Sequence, residues 1–528
     1  MAEFYPILRG SVLAKGGAEE VGNKAWNLMR MAQAGLPVPP AFVLPTAWCL
    51  RSGSAVAPQI RDVLSKGIGQ LEAATGLRLG AARRPLLISV RSGAAVSMPG
   101  MMETVLDVGL NAVTVEALIR LTGNPRLAWD SYRRFIQGYA EVVAKLPMAP
   151  FDLLLAAELR HAEADSESDL DHRNLRSLTR AMLDCYLTVT GRDFPADPFE
   201  QLATATAAVF RSWDAPKAVS YRRLNNIRDT PGTAVTVQTM VYGNAGGASG
   251  AGVGFTRNPA TGKRELYFDF QFNAQGEDVV GGRRRLYDND RLRQVLPAVW
   301  SRLIQTCQQL EMLFRDAQDF EFTVQSGELF LLQTRRAKRT DWAALTIAVD
   351  MVNDGLLKPI EAIARLQPIK LDDVVRTSVA LPLPIPLAVA QVAGMGVASG
   401  AIALDSAAVS RLAASQTEAI LVREQTLTTD IEGMALAVGV LTGSGGRTSH
   451  AAVVARQLGK VCLVGCAALE IDLENRRCHI GGTLLNEGDL ISLDGNTGDI
   501  YLNRISTFAE RPVEALAAIS SWTPAAAA

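Results

Sequence analysis

Histidine is scarce here, with four in 528 residues, so each position can be weighed singly. The six cysteines show no paired spacing. Cys462 and Cys466 lie in a Val/Leu/Gly-rich stretch with no second pair, which excludes a zinc-finger module and leaves reduced, buried small residues. No apolar run reaches the ~18 residues of a membrane-spanning helix, and no N-terminal segment is built like a secretory signal. No membrane association is therefore expected, and the cytoplasm is the default compartment. Neither sign of charge is in excess: 53 Lys and Arg stand against 54 Asp and Glu, for a net charge of -1. That balance gives no global reason to expect nucleic-acid binding. There is no internal repeat with a period of roughly 20–50 residues.

What is present is an ordinary globular composition, 48% hydrophobic and 20% charged. The length suits roughly three or four domains. The pattern alternates strands and helices, an α/β (α+β) chain. Leu86 to Val90 reads as a short strand and 125–190 as charged helices. Leu202 to Trp213 reads as a helix, 232–275 as strands, and about 288–316 as a helix. Two strands, 319–324 and 328–333, meet at Ser326-Gly327. Ala343 to Asp350 reads as a helix. The alternating prolines of Leu381-Pro382-Leu383-Pro384-Ile385-Pro386 predict an extended connector. Short strands and Gly-rich turns follow to about 503, and the last residues have the composition of a frayed tail.

The most informative run is Gly445-Gly446-Arg447-Thr448-Ser449-His450-Ala451-Ala452-Val453-Val454-Ala455-Arg456. It sets a histidine after a Gly-rich turn at the start of an apolar helical pattern. A helix N-terminus presents free N–H groups and positive partial charge, which favour an anion. A largely neutral imidazole there can act as a nucleophile toward a phosphoryl group. The same run also suits a plain N-cap. His161 and His172 fall in the charged helical region and His479 in an alternating strand, positions of surface or structural histidines.

Other blocks, in order, are Val90-Arg91-Ser92-Gly93, Ser97-Met98-Pro99-Gly100-Met101-Met102, Asp130-Ser131-Tyr132-Arg133-Arg134-Phe135, Phe255-Thr256-Arg257-Asn258-Pro259, Asn273-Ala274-Gln275-Gly276-Glu277-Asp278, Leu332-Gln333-Thr334-Arg335 and Asp430-Ile431-Glu432-Gly433-Met434. With Thr448-Ser449-His450 they make the chain resemble the pyruvate phosphate dikinase family, over that family's nucleotide-binding and phosphohistidine portions. The resemblance implies an ATP-grasp-like module over 1–340 with a helical insertion at about 125–195, a linker over 341–388, a swivelling phosphohistidine domain over 389–505 and a tail over 506–528. The family's pyruvate- or phosphoenolpyruvate-binding barrel, of ~250 residues, is not among these blocks. A separate acceptor protein, or a small molecule bound in an interdomain cleft, is the expected final acceptor.

By the same resemblance His450 is the phosphorylated residue, with ATP, inorganic phosphate and Mg²⁺ as reactants and cofactor and AMP and pyrophosphate as products. Lys24, Arg91, Arg133 and Arg335 become phosphate contacts. Lys24 sits in Val21-Gly22-Asn23-Lys24-Ala25, poorer in glycine than the family's loop. Arg133 could equally pair with Asp130 at i,i+3. Met101 and Thr104 belong to a loop whose backbone N–H groups can cover phosphates. Gln238, Met240 and Val241 run past the adenine, though Met240 also suits a core position. Asp319 and Glu321 share one strand face; with Gln333 they offer hard oxygen donors for Mg²⁺, or else a solvated polar face. Glu277 and Asp278 join the organisation of that end. Thr448 is the candidate regulatory position. Two departures stand out: Ser444 where the family has arginine, and Arg447 where it has methionine. A phosphohistidine carrier that modifies a partner protein and a non-catalytic nucleotide-sensing subunit are the rival readings, and a homodimer is compatible with each.

Overall fold

Strands and helices alternate along the chain as the residue pattern predicts. The computed structural model describes residues 3–51, 58–96, 98, 101–224, 227, 232–280, 289–447 and 449–522. Two compact units emerge. The first comprises Met1–Gly246 with Phe330–Thr334; the second comprises Gly247–Leu329 with Arg335–Ala528.

The first unit is built on a five-stranded antiparallel sheet. Its strands are β1 (Tyr5–Ile7), β2 (Ala41–Leu44), β3 (Ile88–Gly93), β4 (Thr104–Val108) and β5 (Ala234–Thr239), in the order β1-β2-β5-β3-β4. Helix α1 (Gly17–Gln33) packs on it through Val21, Ala25, Leu28 and Met31. The helical region contains α2 (Pro125–Val142) and α3 (His172–Thr190). Asn124 caps α2 by accepting from Leu127 N, ahead of Pro125, whose missing N–H costs nothing in a first turn. The core between helices and sheet joins Phe135, Tyr139 and Phe194 with Leu86, Ile88 and Val235.

The second unit holds two larger sheets. In the first, β6 (Gly250–Phe255) pairs antiparallel with β7 (Tyr267–Phe272) and with β8 (Gln318–Gln325). Strand β9 (Glu328–Arg336) follows β8, and its central residues Phe330–Thr334 group with the first unit. The sequence of β6, Gly-Ala-Gly-Val-Gly-Phe, explains its place. Gly252 opposes Phe322 and Phe270, and Gly254 opposes Phe320 and Phe268. A Cβ on Gly252 would meet Phe322 Cζ at 2.4 Å. The aromatic rings thus occupy the volume the glycines leave, and that face of the sheet is closed. The other face carries the polar residues.

The second sheet has eight strands. Its centre is parallel, formed by Val397–Ala403, Ala419–Arg423, Gly439–Thr442 and Val461–Val464, with antiparallel strands on both flanks. His479 lies on Arg477–Ile480 of a separate three-stranded sheet. Between the two larger sheets run α4 (Asp341–Asn353), α5 (Pro359–Leu366) and the Pro-rich stretch 381–386, which has no regular structure and is exposed.

The expected tail differs from the sequence expectation up to residue 522. Thr507–Glu510 pairs with Arg376–Val379, and a helix over Val513–Trp522 buries Ile519 against Ala343, Ile347 and Leu366. The composition of the terminal alanines hid an apolar helical face that is completed by α4 and α5. Residues 523–528 lie outside the described residues. All six cysteines are free, four of them buried and Cys49 and Cys185 half-buried. Among the described residues no helix is long and apolar enough to cross a membrane.

Candidate active site

In the first unit the sheet register gathers several nucleotide candidates. Arg91 on β3 stands opposite Thr104 on β4 and Thr236 on β5. Side chains two apart on a strand share a face, so Gln238, two residues beyond Thr236, lies on that face with Arg91 and Thr104. Gln238 is buried and donates from Nε2 to the Pro39 carbonyl at 3.3 Å. Met240 and Val241 continue past the strand end half-buried, and Met240 N donates to the Leu87 carbonyl at 2.9 Å.

Lys24 is set by a break in α1. Gly22 has φ +75°, a left-handed conformation open to glycine, and a Cβ there would meet the Gly93 carbonyl at 2.1 Å. The helix can therefore close on the end of β3, and Asn23 N donates to the Ala94 carbonyl at 2.9 Å. Lys24 is thereby held against Gly93, two residues from Arg91. One glycine in this segment supplies the close approach. On the central part of β9, Gln333 is half-buried, and neighbouring Thr334 accepts from Asn27 Nδ2 at 2.8 Å. Met101 is half-buried; Ser97, Pro99 and Gly100 of its loop lie outside the described residues.

Arg133 occupies a different setting from a phosphate contact. It is 2% exposed and donates to Asp130 Oδ1 at 2.8 Å and Glu167 Oε2 at 2.6 Å. The i,i+3 pairing is the geometry found, reinforced by a carboxylate 34 residues away. A guanidinium buried between two acids ties the helical region together, the helix-face pairing that the residue spacing also suited.

In the second unit the polar face of the first sheet is organised in rows. Asp319, Phe255 and Tyr267 are in register, and Glu321, Val253 and Asp269 form the next row. Asp319 is buried and accepts from Arg335 Nε at 2.8 Å. Burial raises the Asp319 carboxyl above its ordinary range against the opposing pull of Arg335; neighbouring Glu321 adds to the rise. Burial lowers Arg335, but Asp319 and Glu321 more than restore it, so its pKa ends raised. Burial and Arg335 together lower Lys338. Glu321 itself is half-buried. Asp278 is buried, and its Oδ2 accepts from Gln275 N at 3.1 Å. The Glu277 side chain lies outside the described residues.

His450 is the first residue of helix α6 (His450–Gln457). Ser449 is the N-cap and accepts from Ala452 N. Ala451, Ala452 and Ala455 bury against Val440, Cys462 and Val464, which fixes the helix on its sheet. The turn before it requires Gly445, at φ +92°. Ser444 Oγ donates to the Glu424 carbonyl at 2.8 Å. Thr448 and the side chain of His450 lie outside the described residues. Arg447 and Arg456 flank the histidine, with their guanidinium carbons 4.9 Å from the Tyr267 ring and 5.2 Å from the Phe255 ring.

Residue reasoning missed Phe255 and Tyr267. The sign was available in the alternation of glycine and aromatic residues along β6 and β7, which fixes the face each side chain takes. Arg257 of the Phe255–Pro259 block is structural: 1% exposed, it pairs with Glu311 and Asp350 at 2.9 and 2.6 Å.

Residues 54–293 match the family described as pyruvate phosphate dikinase, AMP/ATP-binding domain, and residues 415–498 match PEP-utilising enzyme, mobile domain. The chain thus joins a nucleotide-binding module to a mobile module of the kind found in PEP-utilising enzymes. Relatives narrow this further. The chain is 43% identical over 494 residues to pyruvate, phosphate dikinase of Clostridium symbiosum, covering 92% of this chain and 56% of that protein. It is 41% identical over 520 residues to the Rhizobium meliloti (strain 1021) pyruvate, phosphate dikinase, covering 94% and 57%. Pyruvate, phosphate dikinase 2 of Zea mays is 42% identical over 496 residues, covering 93% and 56%. The chain belongs to the pyruvate phosphate dikinase family and spans a little over half the length of these relatives.

The family implies Mg²⁺. Among the described residues no three His, Cys, Asp or Glu side chains cluster closely enough to enclose a metal. Mg²⁺ bound with substrate phosphates needs only one or two protein carboxylates, the rest of its shell being phosphate and water. The oxygen donors present, the Glu321 and Asp319 carboxylates among them, fit that open kind of site.

Proposed function

We propose that this protein is an ATP-dependent histidine autophosphorylating phosphotransferase. ATP, inorganic phosphate and His450 give AMP, pyrophosphate and phospho-His450. An imidazole nitrogen forms a bond to the β-phosphorus as the bond to the AMP oxygen breaks, and inorganic phosphate takes the γ-phosphoryl group. The phosphoryl group on His450 then passes to an acceptor bound outside the phosphohistidine domain.

Phosphoryl transfer asks the protein chiefly for charge neutralisation and alignment. Lys24 and Arg91 serve the nucleotide phosphates, with Thr104 and Gln238 on the Arg91 face and Met240 and Val241 beside the adenine. Arg335, oriented by Asp319, serves the transferring phosphoryl group. Glu321 and Gln333 are the Mg²⁺ ligands; the ion, when bound, neutralises charge developing on the phosphate oxygens. The domain division follows: nucleotide binding over 1–340, linker over 341–388 and carrier over 389–505.

One observation carries this reading. The segment that bears His450 is seated on the sheet row that holds Asp319, through Arg447 on Tyr267 and Arg456 on Phe255. A carrier segment seated on the sheet that presents Asp319 and Arg335 supports transfer from the nucleotide to His450. Rapid quenching of the purified protein with ATP, phosphate and Mg²⁺, followed by quantitation of AMP and pyrophosphate, tests it. A burst of one AMP and one pyrophosphate per active site is expected. ADP as the sole nucleotide product would contradict the scheme.

A further inference from the structure

Among the described residues, the His450 segment meets the sheet through specific side-chain contacts. Tyr267, Phe255 and Asp319 are in register across β7, β6 and β8, so their side chains leave the same face. Arg447, three residues before His450 in sequence, holds its guanidinium carbon 4.9 Å from the Tyr267 ring centroid. Arg456, on α6, lies 5.2 Å from that of Phe255. The two rings pack edge to face, 5.9 Å apart. Arg456 Nη2 donates to the carbonyls of Arg447 and Ala393 at 3.2 and 3.3 Å, which ties both cations to one backbone. The Tyr267 hydroxyl donates to the Val392 carbonyl at 3.0 Å, a further link between sheet and carrier domain.

The surroundings favour strong cation–π attraction. Both rings are 3% exposed, and the Nε of each arginine is buried without a hydrogen-bond acceptor among the described residues. A guanidinium laid on an aromatic face gains most when water is excluded. Burial pushes the Tyr267 hydroxyl up to about 12, against the pull of Arg456 and Arg447, so it remains a donor throughout the neutral range.

We infer that Tyr267 and Phe255 are the seat, and Arg447 and Arg456 the latch, by which the carrier domain positions His450 for autophosphorylation. The inference rests on the proposed function and assigns positioning residues to it. A mobile domain needs a contact that forms and breaks in each cycle. Two cation–π contacts and one hydrogen bond meet that need better than a broad apolar patch, because each rehydrates readily on release.

The test compares the wild type with Tyr267→Leu, Arg447→Met and Arg447→Lys. Three readouts are taken: the single-turnover rate of His450 labelling at saturating ATP, the Kd for a fluorescent ATP analogue, and hydrogen exchange of the peptides spanning 267–272 and 391–394. Tyr267→Leu and Arg447→Met should each slow labelling by roughly tenfold, the scale of one desolvated cation–π contact, leave Kd within about twofold, and lose exchange protection in both peptides. Arg447→Lys, which keeps a cation, should recover most of the rate. Combining Tyr267→Leu with Arg447→Met should cost little beyond Tyr267→Leu alone, because the contact Arg447 makes with the ring is already gone. Labelling within twofold of wild type in both variants would overturn the latch, as would a parallel loss of nucleotide affinity, which would assign these residues to the nucleotide site. A wild type that never labels would instead sink the proposed function itself, so the two failures are distinguishable.

Discussion

Arg335 donates from Nε to Asp319 Oδ2 at 2.8 Å, and the carboxylate it meets is 6% exposed. Arg335→Gln removes the hydrogen-bonded cation from that carboxylate and leaves only the weaker pull of Arg456. The sign follows from burial. The Asp319 carboxyl is already raised in the folded chain, so its ionisation makes stability decline as pH rises through the folded pKa. Removing Arg335 raises it further. The melting-temperature gap between wild type and Arg335→Gln should be widest at neutral pH and narrow as the pH falls. Asp319→Asn added to Arg335→Gln should close much of the gap at neutral pH. A gap that grows toward acid would contradict the pairing.

Asp130 gives the opposite pH dependence. Burial would raise its carboxyl, but Arg134 and Arg133 outweigh that and hold it below its usual range. A depressed carboxyl contributes stability above its unfolded value of about 4, and loses it as pH falls through the lower folded value. Asp130→Asn should cost about 3 kcal/mol near neutral pH, the low end for breaking a buried pair, because Arg133 keeps Glu167. Denaturant unfolding at several pH values should show that difference shrinking in acid.

The glycine row of β6 is a packing requirement. A Cβ on Gly252 would lie 2.4 Å from Phe322 Cζ and 2.8 Å from the Asp269 carbonyl. The second contact is backbone and cannot swing aside. Gly252→Ala should destabilise by about 1–3 kcal/mol, the usual cost of overpacking. An unchanged melting temperature would show that the sheet is looser than described.

Glu321 and Gln333 are half-buried, and neither side chain belongs to an apolar core. Glu321→Ala and Gln333→Ala should each keep wild-type melting behaviour while lowering the rate of His450 labelling by about 10²-fold or more, the scale of a lost metal or charge-stabilising contact. Excess Mg²⁺ should restore part of the rate. Full-rate labelling in either variant would remove it from the ligand set.

Much of this arrangement was legible in the residues. The Gly-rich turn, the Ser449 cap and the Ala/Val run predict a helix beginning at His450, because each signal is local. The alternation around Asp319 and Glu321 places both on one strand face for the same reason. What escaped depends on partners distant in sequence. Glu167 reaches Arg133 across 34 residues. Thr507–Glu510 finds Arg376–Val379 far up the chain. Arg447 reads as a departure from the family motif until Tyr267 is brought beneath it. Gly22 shows the reverse: a segment poorer in glycine than its family keeps the one glycine whose φ and close approach the fold requires.

Transfer of the β-phosphoryl group of ATP to His450 can be measured directly. The purified protein is incubated with β-labelled ATP, phosphate and Mg²⁺, and the peptide containing residue 450 is isolated. Acid-labile, base-stable label approaching one equivalent is expected to be present in the wild type and absent from His450→Asn. Equal labelling of His450→Asn, or label that enters only from the γ position, would contradict that transfer.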